Sequence, residues 1–184
     1  CIRDSLYIVY ENHTRNKELL KYAQTDALTG LYNKETTEQL TDELLSEDEN
    51  KYHAFLILDV DCFKQINDIY GHAVGDIVLQ KFGKLLKGTF REGDILGRIG
   101  GDEFGVIMKN IQTKDIAMKK AEELLAKTQA YKIDELKGNN ISISIGISTA
   151  PQDGDCYMDL YKRADQALYQ AKRSGKARVC NYFS

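Results

Sequence analysis

Residues 54–60 read Ala-Phe-Leu-Ile-Leu-Asp-Val, a short and nearly continuous apolar run that ends on acid. A half-exposed strand alternates apolar with polar residues, so a run like this describes a strand covered on both faces. Asp59 and Asp61 stand where that strand leaves the core. Residues two apart in a strand point to the same face, which makes the two carboxylates same-side neighbours. If the chain turns there, Val60 between them can add its carbonyl oxygen. Hard oxygen donors suit magnesium, which takes one or two carboxylates together with substrate phosphates. An isolated Asp-x-Asp is also the pattern of ordinary strand-end or helix-capping aspartates.

Outward from this strand, hydrophobic spacing alternates between helix and strand periods. Asn33 reads as the N-cap of a helix over 34–46, followed by an acidic Ser46–Asn50 turn. Phe63–Tyr70 and Ala73–Leu86 read as two helices split by Gly71 and Gly75. Ile95–Ile99 and Phe104–Met108 read as strands joined through Gly100-Gly101-Asp102-Glu103, where paired glycines would permit the positive φ of a tight turn. Asp115–Tyr131 and Asp159–Lys172 are amphipathic helices, Ile141–Ser148 alternates strictly, and a short strand near Ala177–Tyr182 closes the fold. Strands interleaved with helices around one hairpin imply an α/β sandwich, with a central, mainly antiparallel sheet flanked by helices in a ferredoxin-like or polymerase-palm-like arrangement.

Residues 1–24 differ from the rest. Leu6, Val9, His13, Leu20 and Ala23 form a thin stripe that suits the end of a linker helix, either coiled with a copy of itself or solvated alone. The domain proper is then 25–184. The chain begins at Cys1, which suggests a cut from a longer protein whose upstream sensor region lies outside it.

At 184 residues, 42% hydrophobic and 29% charged, the chain falls in the globular class, large enough to bury a core without disulfide staples. The four cysteines (Cys1, Cys62, Cys156 and Cys180) have neither metal-site nor disulfide-framework spacing, which suits a reducing cytoplasm. With a net charge of −3, nothing suggests bulk attraction to nucleic acid, which normally needs a basic face. Neither a membrane span nor a secretory signal is visible. An acidic protein handling anionic substrates needs local cations.

Several residues could supply such chemistry. Asp102 and Glu103 sit on the glycine turn, where they could complete a metal site with Asp59, and the Gly100–Gly101 pair lets a nucleotide approach the backbone. Phe63 and Lys64 open a helix directly after the acidic strand end, offering unpaired N–H groups and one charge to phosphate. Asn67 and Asp76 could read a guanine edge, whose N–H donors suit a carboxylate. Lys172 and Lys176 close the last long helix, a position the helix dipole favours by itself. His72 has no second histidine nearby and reads as structural.

Taken in order, these pieces resemble one family. The segments are Asp26-Ala27-Leu28-Thr29-Gly30-Leu31-Tyr32-Asn33, Asp59 to Asp61, Phe63-Lys64-x-x-Asn67-Asp68, Gly71-His72-x-x-Gly75-Asp76, Gly100–Phe104, and Arg163 through Lys176. Together they are similar to the GGDEF-domain diguanylate cyclases over about residues 25–182. The resemblance implies a nucleotidyl cyclase architecture and a magnesium-dependent nucleotidyltransferase, with manganese as the alternative ion. It would condense two GTP into cyclic di-GMP and two pyrophosphates at a homodimer of domains.

The resemblance also implies that Asp59, Asp102 and the Val60 carbonyl hold the metal, and that Glu103 lies near the reacting ribose hydroxyl. Asn67 and Asp76 would hold guanine. Lys64, Lys172, Lys176 and the backbone near Cys62 and Phe63 would take the phosphates, with Gly101 beside the nucleotide. Arg91-x-x-Asp94 stands five residues before the turn, where the family places a product-inhibition site. The competing readings are a catalytically silent module that binds GTP or cyclic di-GMP, a structural dimerisation domain, and a cyclase for adenine nucleotides. An intact turn opposes the first, and Asp76 opposes the last, because adenine lacks the donors a carboxylate would accept from.

Overall fold

The computed structural model describes residues 23–47 and 51–182, so nearly all of the expected linker helix lies outside the described residues, as does the end of the Ser46–Asn50 turn. In chain order the elements are α1 (Lys34–Glu47), β1 (His53–Val60), α2 (Phe63–Tyr70), α3 (His72–Thr89), β2 (Ile95–Arg98) and β3 (Glu103–Met108). After these come α4 (Lys114–Ala130), a 3₁₀ turn (Asp134–Leu136), β4 (Ile143–Ala150), α5 (Tyr157–Arg173) and β5 (Val179–Asn181). The sheet order is β2-β3-β1-β4-β5. Every pairing is antiparallel except β4 with β5. This is the sandwich that the strand and helix periods implied.

β1 is the central strand and is buried at all eight positions, as its apolar run required. Its even-numbered residues Leu56, Leu58 and Val60 pack with Val78, Phe82 and Leu86 of α3 and with Ala117, Ala121 and Leu124 of α4. Phe55 and Ile57 face the other way, against Tyr157, Leu160, Ala164 and Leu168 of α5 and Leu45 of α1. The strict alternation in β4 does not mark a wet face, since all eight residues are buried there as well. Gly146 and Ser148 meet α5 instead; the Ser148 hydroxyl donates to the Leu160 carbonyl at 2.8 Å.

The registers set three glycines in a row across the sheet, interrupted by Ile57: Gly97 opposite Gly105, Gly105 opposite Ile57, and Ile57 opposite Gly146. Glycine inside a strand usually marks a place where another backbone comes close. A Cβ on Gly97 would fall 1.9 Å from Thr37 Oγ1 of α1. One on Gly146 would fall 2.1 Å from the Ala164 carbonyl oxygen and 2.4 Å from the Leu168 nitrogen of α5. The row lets both helices lie directly on the sheet.

Element ends follow capping. Asn33 caps α1 as expected, its Oδ1 accepting from Thr36 N at 2.9 Å. α5 begins at Tyr157 rather than Asp159 because Tyr157 N finds an acceptor in Asp42 Oδ1 of α1 at 2.7 Å, a partner 115 positions away that no local pattern reveals. The hairpin differs in its cause. Neither Gly100 nor Gly101 lies at positive φ, and the space at Gly100 serves Glu103, whose Oε2 would meet an added Cβ at 2.8 Å.

Gly146→Ala is therefore expected to cost about 3 kcal/mol or more, because its methyl group meets helix backbone that cannot turn aside. Gly88→Ala, at an open helical position, should be neutral or stabilising by under about 1 kcal/mol. Urea unfolding of both variants checks the contrast.

Candidate active site

Where β1 and β3 run out together, Asp59 and Glu103 are direct register partners and Asp102 follows in the turn. Val60 N donates to the Asp102 carbonyl at 3.2 Å, which fixes the turn against the strand end. α5 passes over this corner, and Lys172 Nζ lies 2.7 Å from Asp59 Oδ2, with the Asp59 side chain only 9% exposed. Burial holds the Asp59 carboxyl above its ordinary range; Lys172 offsets this in part, and the neighbouring Asp102 and Asp61 add to it. The Glu103 carboxyl is raised as well, by burial first and then by Asp59. Crowded, desolvated carboxylates facing one lysine form a strongly electronegative corner.

The residues present there suit a hard divalent cation, since Asp59, Asp102 and the adjoining backbone are oxygen donors whose mutual repulsion such an ion would relieve. Two carboxylates and a carbonyl do not amount to a cluster of three acidic side chains. Among the described residues, the three side chains whose ligand atoms do converge within 4.8 Å are Asp155, Cys156 and Asp159, at the start of α5. These lie at the opposite end of that helix from Lys172.

Asp59 lies within β1 and Asp61 just past the strand's end at Val60, and their partners differ. Asp61 accepts from the Ser144 hydroxyl at 2.7 Å, the Ser142 hydroxyl at 2.8 Å and Ala177 N at 3.1 Å. Next to it Cys62 is exposed, and Lys176 Nζ lies 3.1 Å from its Sγ. Phe63 opens α2 here. The structure thus gathers Cys62, Phe63 and Lys176 at one place beside the carboxylates. Lys64 and Asp76 are exposed. Asn67 Oδ1 is buried with no hydrogen-bond partner, and a Cβ on Gly75 would fall 1.9 Å from it. Gly75 is what allows α2 to set Asn67 against the start of α3, next to Asp76.

Arg91 and Asp94 hold each other and Lys109, just past the end of β3. Arg91 Nε meets Asp94 Oδ1 at 3.1 Å, and Asp94 also accepts from Arg91 N and Lys109 N. The Arg91 guanidinium donates to the Lys109 carbonyl too. The Arg91 side chain is 60% exposed and that of Asp94 only 4%, so the aspartate is chiefly the anchor of the turn. Both line a cleft of about 360 Å³ with Phe90, Met108 and Lys120.

Two residues with no assigned role also reach the site. Arg98 donates to the Gly101 carbonyl through Nε at 3.1 Å and Nη2 at 2.7 Å, and through Nη1 to Asp26 at 3.2 Å. Asp26 Oδ1 accepts in turn from Thr29 N at 2.9 Å and from the Thr29 hydroxyl at 2.7 Å. These bonds hold the Asp26 carboxyl below its ordinary value against the opposing effect of burial. The Asp26-x-x-Thr29 turn is visible as a local pattern. Its partner Arg98, 72 positions away, is not.

Comparison with known proteins identifies the family. Residues 23–178 match the family described as diguanylate cyclase, GGDEF domain. An uncharacterised protein of Bacillus subtilis, YhcK, is 38% identical over 96% of this chain and 51% of its own length. Diguanylate cyclase A of Treponema denticola is 37% identical over 89% of this chain and 46% of its own. The chain spans about half the length of these curated relatives. A crystal structure of the coiled coil and GGDEF domain of DgcB from Caulobacter crescentus, in complex with c-di-GMP, superposes with a TM-score of 0.88 at 26% identity, covering 98% of this chain and 96% of that one. The GGDEF domain of TpbB from Pseudomonas aeruginosa superposes at 0.81 with 33% identity, covering 86% of this chain and 94% of that one. With sequence and architecture in agreement, this chain belongs to the GGDEF-domain diguanylate cyclase family.

Proposed function

We propose that this chain is a diguanylate cyclase: two GTP molecules, one per domain of a homodimer, condense to cyclic di-GMP and two pyrophosphates. The observation that carries the reading is the corner where Asp59, Asp102 and Glu103 meet Lys172 on an intact Gly100–Phe104 turn. The 3′-hydroxyl of each GTP attacks the α-phosphate of the other. Asp59 and Asp102, with the Val60 carbonyl, would hold magnesium or manganese, which when bound neutralises triphosphate charge and polarises the phosphate.

The chain's own groups do the rest. Lys172, Lys176 and Lys64 take phosphate oxygens, together with the N–H groups at Cys62 and Phe63 where α2 begins. Asn67 and Asp76 receive guanine; the unpaired Asn67 Oδ1 is an acceptor in need of a donor. Gly101, without a side chain, leaves room for the ribose. Glu103, its carboxyl raised above its ordinary range by burial and then by Asp59, suits removal of the hydroxyl proton. Positioning and charge neutralisation are what phosphoryl-type transfer mainly requires.

Product inhibition is assigned to Arg91 and Asp94. Arg91, being largely exposed, can present a bidentate fork to a phosphate or a guanine Hoogsteen edge. The cytoplasm is the proposed setting, on a cysteine spacing that suits a reducing compartment. Among the described residues no helix is long and apolar enough to cross a membrane. Control by an upstream region would act through dimerisation.

Purified protein at high concentration with GTP and magnesium should yield a guanine-only cyclic dinucleotide and pyrophosphate by mass spectrometry. Silence even with a coiled coil fused upstream would favour a binding module. Asp102→Ala should lower turnover at least about 100-fold with the fold intact, and retained turnover would remove the metal assignment.

Glu103→Gln separates function from stability. A carboxyl whose folded pKa is raised contributes stability below its unfolded value and loses it as pH rises through the folded one. Ionised Glu103 therefore destabilises the ligand-free domain at pH 7. The variant should melt at a higher temperature there, with the gain gone below the ordinary value of 4.5, while turnover falls. Arg91→Ala should leave turnover intact and raise the inhibitory product concentration by about tenfold or more, the scale of one lost bidentate contact. Unchanged inhibition would sink that assignment.

A further inference from the structure

α5 ends in an ordinary helix stop. Gly175 stands at φ 113°, Lys176 N bonds to the Ala171 carbonyl at 3.1 Å, and Gly175 N bonds to the Lys172 carbonyl at 3.4 Å. This is a Schellman motif with glycine at its left-handed position. The chain does not then return to extended backbone. Lys176 and Ala177 follow at φ 60° and φ 47°, both left-handed and both carrying a Cβ. Such residues persist only where the surroundings over-determine them. The helix stop explains Gly175 but not the two residues after it.

The surroundings are supplied by Asp61. Its Oδ2 accepts from Ala177 N at 3.1 Å and from the Ser142 hydroxyl at 2.8 Å, and its Oδ1 accepts from the Ser144 hydroxyl at 2.7 Å. The residue is 6% exposed, and its own N–H donates to the Ser142 carbonyl at 2.9 Å, so the carboxylate is fixed by the sheet. On the far side of the turn, Ile145 N draws the chain back into the sheet by donating to the Arg178 carbonyl at 2.9 Å. Just before these anchors the turn carries Lys176 back across the start of α2, where its Nζ meets Cys62 Sγ at 3.1 Å.

We infer that Asp61 is a positioning residue for Lys176: it clamps the left-handed Lys176–Ala177 turn so that the ammonium stands over the N-terminus of α2. Its oxygens are committed to three donors, which distinguishes it from Asp59 one alternation away, whose Oδ2 meets a lysine. The acidic pair at the end of β1 is thus divided in function, one member facing the reaction corner and the other holding a phosphate ligand in place. This rests on the proposed role of Lys176 towards the triphosphate.

The test is binding of 3′-deoxy-GTP, which carries the triphosphate but cannot condense, to the full chain with magnesium, together with hydrogen exchange at the Ala177 amide. Asp61→Ala should weaken binding about tenfold, the scale of one charge-assisted bond to phosphate, and speed Ala177 exchange. Lys176→Ala should weaken binding equally, and the double variant should bind no worse than either single one. Asp61→Asn should stay within about threefold of the unaltered chain, because one amide oxygen still accepts from Ala177 while the amide group donates to a rotated Ser144 hydroxyl. An Asn variant as impaired as the Ala variant would mean that the negative charge itself is needed, and would overturn the inference. So would an Ala variant with unchanged binding and exchange. If Asp61→Ala does not fold, Ser142→Ala with Ser144→Ala strips two of the three donors; faster Ala177 exchange with weaker binding supports the clamp, and unchanged values refute it. If Lys176→Ala alone binds normally, the phosphate role of Lys176 fails, and Ala177 exchange in the Asp61 variants still decides whether the clamp exists.

Discussion

The contact on which the site depends is backbone against backbone: helix α5 lying on Gly146 of β4. Ala164 and Leu168 leave no space there for a side chain. Lys172 is one helical turn beyond Leu168, and Ser144, the next inward residue of β4, is the register partner of Asp59. Seating the helix at the glycine therefore sets where the ammonium arrives. The 2.7 Å ion pair between Lys172 and Asp59 is a consequence of this packing, and only secondarily an attraction between charges. A bulkier strand residue would lift the helix and open the corner without altering any residue in it.

The same corner illustrates why function and stability oppose each other. Asp59, Asp102 and Glu103 are brought together at partly buried positions, and the fold tolerates this because hydrophobic packing on both faces of β1 is extensive. Lys172 relieves the charge of one member only. The remaining excess of negative charge is what would favour a bound cation, so a more stable arrangement of the same elements would make a weaker cation site.

Much of this is legible in the residues alone. The covered strand at 54–60, the helix periods and the Asn33 cap each rest on short-range physics, and each appears close to the expected place. Asp59, Asp102 and Lys172 stand out as candidates because strand ends, turns and helix ends expose side chains in known directions. Their joint role came from resemblance to a family, since no spacing brings Lys172 to Asp59. What stayed hidden is long-range. The Asp42 cap on α5, the Arg98–Asp26 pair and the three donors to Asp61 join segments far apart in the chain. The glycines at 97, 105 and 146 are plain in the sequence, but a glycine in a strand does not say which helix will lie on it.

The Asp26 contact links the incoming segment to the Gly100–Phe104 turn. Residues 23 and 24 run into the domain through Asn33, whose side chain donates to the Ala23 carbonyl at 2.8 Å and whose N–H donates to the Gln24 carbonyl at 3.0 Å. Two residues later Asp26 grips Arg98, and Arg98 holds the Gly101 carbonyl at the head of the turn that carries Asp102. The path from the incoming segment to that turn thus consists of a few hydrogen bonds and one largely buried ion pair, with no soft loop between them. A change in the direction of the incoming chain would strain these bonds before it disturbed the core. A displacement at residues 23–26 therefore reaches the Gly100–Phe104 turn through these bonds.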